Sequence, residues 1–341
     1  MTSTPNSAVY GYANARVRAM RSKLLGKRTL LQLSDSSDVK SMIGTLIQTD
    51  YRDYLDQFGG VKADERMVDF ALNRSFEQNV DRLIGISPNH VRKPIAAIVS
   101  GGDYESMKLL LHAKHKGLAF DSISKYLVGS RRLSLQRMKA AISENTVEEA
   151  AKTLGEGTPY SAAISAAMDA YKKTGSLADA DLSLDMDYYL SIGSAANRLM
   201  VESPESARLV RMEIESRNLL TAMRMKRANA PPESFKKALI PNGITGHKEL
   251  VDSYSSSSPS EIAGISKAFR LEQSRSMLDY EIQMRGQLLR KAISVLGSSV
   301  LSFGAIVAYY YMKRAEIATV RAILNGAAYG VKKDEIKGMI I

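Results

Sequence analysis

The sequence of 341 residues contains no cysteine and no tryptophan, and only nine prolines. Without cysteine, the chain can form neither a disulfide framework nor a thiolate metal site, and it offers no thiol nucleophile. The scarcity of proline, together with abundant alanine, leucine, methionine, lysine, arginine and glutamate, favours helix over sheet. We therefore predict an all-α protein.

The motifs of common enzyme classes are also missing. The chain has no phosphate-binding loop, dinucleotide fingerprint, zinc-protease helix or nucleophile elbow. His112 and His115 share a predicted helix face, but no acidic residue stands at ligand spacing beside them. Asp69, Asp187 and Asp279 could form a carboxylate cluster, yet at helix starts they more simply complement the helix dipole. We expect no catalytic residue, no metal and no cofactor.

The N-terminus lacks the long apolar run of a signal peptide, so a cytoplasmic location is the default expectation. One later stretch, Ala292 to Met312, has no charged residue across 21 positions, which is long enough to cross a bilayer. Its centre is small and polar: Ser294, Gly297, Ser298, Ser299 and Ser302. We expect a buried break between two helices, with a membrane anchor as the alternative.

The charge balance is positive, with a net charge of +11 at pH 7. Such a surface attracts anions, which could be nucleic acid, lipid headgroups or an acidic protein. Six basic and no acidic residues occur among the first 28. They form either a solvated helix face or a docking surface. As candidate contacts with a charged partner we select Arg16, Arg18, Arg21 and Lys23.

A weak internal repeat is centred on Glu213 to Lys226, EIESRNLLTAMRMK. Related copies are Tyr104 to Lys114, YESMKLLLHAK, and Ile317 to Ala327, IATVRAILNGA. Each copy places an i, i+3, i+7 stripe on one helix face: Tyr104, Met107 and Leu111; Ser216, Leu219 and Met223; Ile317, Val320 and Leu324. The equivalent polar positions, 112 and 101 residues apart, are Ser106, Asn218 and Thr319. Three related helical units are therefore predicted.

Two further elements precede each copy. One is a capped helix, which has a capping box at Thr146 and Glu149 in the second unit and at Ser258 and Glu261 in the third. The first unit lacks the reciprocal carboxylate, because Lys40 stands three residues after Ser37. The other helix opens with an acidic-aromatic pair: Asp69-Phe70, Asp187-Tyr188 and Asp279-Tyr280. We predict three domains, residues 1–120, 121–235 and 236–341, in which the terminal segments pack together.

Two further predictions concern the first helix and a serine-rich segment. Tyr10 to Leu25 should be a helix that Gly26 ends, because its apolar residues follow the helical period. Ser253 to Ser260 is expected to be a serine-rich mobile connection.

Several segments together resemble a known family: the C subunit of the archaeal A-type ATP synthase, called V-type in some bacteria, which is a relative of the d subunit of the vacuolar ATPase. The segments are YGYANARVRAMRSKLL (Tyr10 to Leu25), LLLHAKHKG (Leu109 to Gly117), EIESRNLLTAMRMK (Glu213 to Lys226) and the ending from Ala305 to Ile341. The resemblance covers essentially the whole chain, is most specific at the two ends, and is thin between Leu118 and Leu182 and around Pro241 to Ser258.

The resemblance implies three similar helical-bundle domains around a pseudo-threefold axis, shaped like a funnel. It implies a non-catalytic rotor part on the cytoplasmic side of the membrane. Such a part links the central axle subunits (D/F type) to the membrane proteolipid ring (c/K type), and so couples proton or sodium transport to ATP synthesis or hydrolysis. No small-molecule substrate and no nucleic acid are implied.

A basic helical protein that binds nucleic acid, or a scaffold, is the alternative function. Against nucleic acid, the basic residues are dispersed and the aromatic residues do not interleave with them as a stacking platform requires.

Overall fold

A computed structural model describes residues 7–36, 38–58, 64–274, 276–299, 302–338 and 340. Over these residues the chain forms helices, turns and loops without a β-strand, which confirms the all-α prediction. Two short 3₁₀ turns lie at Asp56–Phe58 and Ser124–Tyr126. The helices are α1 (Ser7–Arg21), α2 (Lys27–Asp35), α3 (Val39–Leu46), α4 (Arg52–Leu55), α5 (Glu65–Ile86), α6 (Asn89–Ile98), α7 (Gly101–His115), α8 (Phe120–Ile123), α9 (Leu135–Ile142), α10 (Val147–Gly155), α11 (Ser161–Thr174), α12 (Leu177–Leu199), α13 (Pro204–Arg227), α14 (Pro232–Ala238), α15 (His247–Ser256), α16 (Pro259–Gly264), α17 (Met277–Ser298), α18 (Gly304–Ala328) and α19 (Lys333–Gly338).

The chain divides into two compact units, each assembled from separate stretches of sequence. The first unit contains Met1–Asn14, Ser87–Ile98 and Met186–Met312; the second contains Ala15–Ile86, Val99–Asp185 and Lys313–Ile341. In the first unit α13 packs against α16 and α17, and in the second α7 packs against α9 and α10, while α19 packs against α2. The boundaries of the three predicted domains stay a prediction.

The predicted stripes lie on α7, α13 and α18, which we call the stripe helices. Eight of the nine stripe positions are buried, and Ser216 is partly buried. On α13 a second apolar side, made of Ile214, Ala222 and Met225, faces away from the stripe. It is also covered, because Ile214 and Ala222 are buried and Met225 is partly buried. The stripe prediction is therefore confirmed, and α13 is packed from two directions as expected for a helix inside a bundle.

The capping boxes are confirmed where both partners are described. Thr146 accepts from the amide of Glu149 at 3.1 Å, and the Glu149 carboxylate accepts from the amide of Thr146 at 3.2 Å. Ser258 and Glu261 form the second box. The capped helix of the first predicted unit is α3, and there Asp38 is the N-cap residue, whose side chain accepts from the amide of Ser41 at 2.7 Å. Ser37 lies outside the described residues.

Two of the three acidic-aromatic pairs do not open their helices. Asp279 lies in the first turn of α17, as predicted. Asp69 instead lies in the second turn of α5, and Asp187 lies in the middle of α12, because extra helical turns precede both residues. The helix dipole acts only within the first turn, so it does not explain Asp187.

Two local predictions were wrong. The first helix ends at Arg21, and Gly26 is the N-cap of the following helix, in an extended conformation with φ −76° rather than the left-handed conformation of a C-cap. Ser253 to Ser260 is not a loop, because Ser253–Ser256 belong to α15 and Ser258 caps α16.

The uncharged stretch contains the predicted break, since α17 ends at Ser298 and α18 begins at Gly304. Most of its second part is buried, whereas Ile293 and Gly297 face outward on α17. Among the described residues, no helix combines the length and hydropathy needed to span a membrane.

Candidate functional site

Each stripe helix carries a buried carboxylate at the same position of the repeat. Asp103, Glu215 and Glu316 precede the equivalent polar residues by three positions and are themselves 112 and 101 residues apart. Their exposed fractions are 3%, 0% and 6%. A buried carboxylate is stable only when its oxygens accept hydrogen bonds, so the donors around each one define a site.

Among the described residues, the donors to Glu215 are backbone amides and hydroxyl groups. One carboxylate oxygen, Oε2, accepts from the amides of Ile244 and Thr245, each at 3.0 Å. The other oxygen, Oε1, accepts from the hydroxyls of Thr245 and Ser266. The loop approaches so closely that a Cβ on Gly243 would lie 2.8 Å from Oε2. This carboxylate therefore ties α13 to the connection before α15 and to the segment after α16.

Asp103 on α7 has a charged partner as well as hydroxyl donors. Arg132 lies 3.1 Å from its Oδ2, which also accepts from the hydroxyl of Tyr160. Ser130 is a third partner. Burial raises the pKa of the Asp103 carboxyl, although the Arg132 guanidinium acts in the opposite direction. The site joins α7 to the loop before α9 and to the end of the α10–α11 connection.

Glu316 on α18 takes its donors from the opposite end of the sequence. Oε2 accepts from the amide of Leu25 at 2.5 Å, and Oε1 accepts from the hydroxyl of Tyr51 at 2.7 Å. The buried ammonium group of Lys313 lies 2.6 Å from Oε1 and donates to Tyr51 at 2.9 Å. The connections that follow α1 and α3 are thereby fastened to α18.

The three sites, which we call the carboxylate junctions, share one design. Tyr51 and Tyr160 lie after related capped helices, as the N-cap residues of α4 and α11. Each donates to the carboxylate of a stripe helix from a different repeat. In all three junctions a stripe helix is joined to segments outside its own predicted repeat. Every oxygen that we describe is partnered and buried, so the junctions stabilise the packing of the stripe helices.

Two junctions are reinforced three residues further along the helix. Asn218 donates to the carbonyl of Ile240 at 2.8 Å and accepts from its amide at 2.9 Å. Ser106 makes the same pair of bonds to Val128, at 3.0 and 2.9 Å. Both partners lie 22 residues downstream. Thr319 instead donates to Ala315 in its own helix.

The predicted partner-contact residues are all exposed near the end of α1. Arg16, Arg18 and Arg21 form no ion pair within the described part of the chain. Lys23 differs, because its ammonium group lies 2.6 Å from Asp50. Of the four residues selected from the sequence, three therefore have no ion-pair partner among the residues that the structure describes.

The histidines and aspartates considered for chemistry have structural partners. His112 Nε2 lies 2.8 Å from Asp181, and His115 makes an edge contact with Tyr171. Asp69 lies 3.2 Å from Arg321, yet burial raises the pKa of its carboxyl. Over the described residues, no cluster of three or more histidine and carboxylate side chains could hold a metal ion.

Sequence analysis missed the carboxylate junctions, although a signal was present. When the equivalent polar residues are aligned, Glu215 lies within the central copy, and Asp103 and Glu316 stand directly before the other two copies at the same position. An acidic residue on a helix usually faces solvent, so its burial is not apparent from the sequence. The recurrence of the acid at this position was the observation that could have revealed it.

The family model for the ATP synthase (C/AC39) subunit matches residues 13–339. The chain belongs to this family. The resemblance inferred from the sequence is therefore confirmed.

Curated relatives agree over nearly the full length. The C subunit of the A-type ATP synthase of Methanocaldococcus jannaschii is 25% identical, over 98% of this chain and 86% of the relative. Its counterpart in the A-type ATP synthase of Desulfurococcus sp. is 27% identical, over 96% and 89%. The C subunit of the V-type ATP synthase of Deinococcus radiodurans is 25% identical, over 96% and 90%.

Proposed function

We propose that this chain is a non-catalytic central-stalk subunit of a rotary A/V-type ATP synthase. It links the central axle subunits to the membrane proteolipid ring, so that rotation of one becomes rotation of the other. Membership of the ATP synthase (C/AC39) subunit family is the observation that carries this proposal. The three-domain, funnel-shaped arrangement belongs to the same proposal.

The packing suits a part that transmits torque. A coupling element needs stiffness, and densely packed interiors of low compressibility transmit strain. The buried stripes supply such packing, and the carboxylate junctions fasten each stripe helix to segments distant in sequence. Fully partnered buried polar networks rigidify and specify one arrangement.

The proposed partners are the axle subunits of the D/F type and the proteolipid ring of the c/K type, with the membrane surface nearby. The location is then peripheral, on the cytoplasmic side of the membrane. Arg16, Arg18, Arg21 and Lys23 remain proposed partner contacts, with Lys23 the weakest choice because Asp50 already pairs with it. No nucleotide, substrate or metal is required for this role.

Co-purification tests the proposal directly. An affinity-tagged chain expressed in its native host should recover axle and proteolipid subunits from gently solubilised membranes. It should bind neither ATP nor DNA in equilibrium dialysis at physiological salt. Recovery of neither axle nor ring subunits, or salt-sensitive binding of DNA in their place, would overturn the proposed function.

A further inference from the structure

The exposed side of α1 between Ala15 and Arg21 has cations along both edges. Val17 and Met20 are buried, which fixes the orientation of this helix. Because successive residues turn by about 100°, Arg16 falls on one edge of the exposed side and Arg18 and Arg21 fall on the other. We call this surface the α1 cationic face.

The middle of the α1 cationic face carries no bulky side chain. Ala15 and Ala19, both exposed, lie between the two edges. Small side chains let a second helix approach closely, whereas the long arginines can reach around its sides. The shape therefore suits a helix lying along α1.

The three arginines keep their hydrogen-bonding capacity. Within the described residues none of them forms an ion pair, in contrast to Lys23, which pairs with Asp50. Arg18 and Arg21 lie in the last turn of α1, where the helix dipole favours positive charge. That interaction leaves their guanidinium donors available. Arg16 lies further from the helix end, so the dipole does not account for it.

Carboxylates fit these donors best. A guanidinium presents a planar fork that binds a carboxylate through two parallel hydrogen bonds. A helix with acidic residues along both sides would meet both edges at once. A membrane surface fits less well, because a helix that lies in lipid headgroups buries its apolar face in the membrane, and the apolar residues of this part of α1, Val17 and Met20, are already buried in the protein.

We propose that the α1 cationic face docks an acidic helix of a protein partner. This inference rests on the proposed function, since the partner would be a neighbouring subunit in the rotary complex. It commits to a protein rather than to lipid, and to three residues, Arg16, Arg18 and Arg21.

Binding of the full chain to the parent complex from which it has been stripped tests this surface. The test variant is Arg16→Glu with Arg18→Glu and Arg21→Glu. A matched control reverses three exposed lysines of the same unit, Lys152, Lys172 and Lys173, and so changes the net charge equally. Circular dichroism and unfolding of both variants verify that they fold.

The arginine variant should bind the stripped complex about tenfold or more weakly at low salt, and the lysine control should stay within about twofold of wild type. The difference should shrink near about 1 M salt, where screening reaches about 3 Å. A photo-cross-linker at Ala19 should capture a peptide rich in aspartate and glutamate.

Three outcomes contradict the inference and are distinguishable. Equal binding of the arginine variant and wild type overturns the docking surface and leaves the proposed function standing. If the arginine variant binds the stripped complex as wild type does but no longer binds phosphatidylglycerol vesicles, the face contacts lipid rather than a protein. Failure of the wild-type chain to bind the stripped complex overturns the proposed function itself.

Discussion

Replacing Glu215 should loosen the connection between α13 and the loop before α15 far more than an ordinary surface substitution would. The side chain is fully buried and accepts from two backbone amides and two hydroxyls. In Glu215→Ala these four donors lose their acceptor, because the alanine methyl group cannot accept a hydrogen bond. In Glu215→Gln one carbonyl oxygen can still accept from both amides while the hydroxyls rotate to accept from the new amide group.

The magnitudes follow from the number of donors left unpaired. A buried unsatisfied donor costs about 1–3 kcal/mol, so the two amides of Ile244 and Thr245 alone set the loss for Glu215→Ala at about 2–6 kcal/mol. The glutamine variant loses only the charge-assisted part of bonds that are each worth about 1.5–3 kcal/mol. We expect it to fall about 1–3 kcal/mol below wild type, on the same scale of hydrogen-bond energies.

Urea unfolding of the isolated chain at neutral pH measures the free energies, and hydrogen exchange at Ile244 and Thr245 reports the junction itself. The matched control is Glu233→Ala, which removes an exposed glutamate of the same unit that pairs only with Lys236. An exposed pair of this kind contributes about 0–1 kcal/mol.

The order of stability should be wild type, then the glutamine variant, then the alanine variant, with faster exchange of both amides in the alanine variant. If Glu215→Ala and Glu233→Ala cost the same, or if both amides keep their protection in Glu215→Ala, the carboxylate does not hold the loop. The description of the junctions would then be wrong.

Three further predictions use the same methods. Leu219→Ala should cost about 2–5 kcal/mol in urea unfolding, because its side chain is fully buried; a loss below about 0.5 kcal/mol would contradict its packing. Tyr51→Phe should cost about 1–3 kcal/mol, since Glu316 loses one donor; an unchanged unfolding midpoint would contradict this. Burial raises the folded-state pKa of Asp103 above its usual 3.8, so the folded chain binds more protons in the window above that value. Wild type should therefore gain stability relative to Asp103→Asn as the pH falls from neutral toward 3.8, and the opposite slope would contradict the raised pKa.

Local chemistry made the stripes and capping boxes predictable. The helical period of Tyr104, Met107 and Leu111 places them on one face whatever surrounds the helix, and burial of that face follows. A capping box involves residues three apart, so Thr146 and Glu149 carry the whole signal in four positions. Such features need no knowledge of distant contacts.

Helix ends were less predictable because tertiary packing decides them. Gly26 suits a C-cap as well as an N-cap, and the sequence does not distinguish the two. The serines between Ser253 and Ser256 are weak helix formers, yet α15 extends to Ser256 because Leu250 and Tyr254 are buried on one face of the helix. Asp187 lies within α12 because Leu177, Ala180 and Leu184 extend the buried face ahead of it.

The carboxylate junctions could not be derived from spacing alone. The donors to Glu215 come from 29 to 51 residues downstream, and two of the donors to Glu316, Leu25 and Tyr51, come from the first sixth of the chain. Only the folded arrangement brings them together. The family was recognised from motifs that are most specific near both ends of the sequence, and the family match confirmed that recognition without identifying a contact residue.

Coupling efficiency tests the central claim most directly. Parent complexes in sealed proteoliposomes should be assayed for ATP hydrolysis and ATP-driven ion uptake, first without this chain and then as it is added back. The account predicts that complexes lacking the chain hydrolyse ATP without moving ions, and that added wild-type chain restores ions transported per ATP hydrolysed. Unchanged ion transport in the absence of the chain would contradict a linking role between axle and ring.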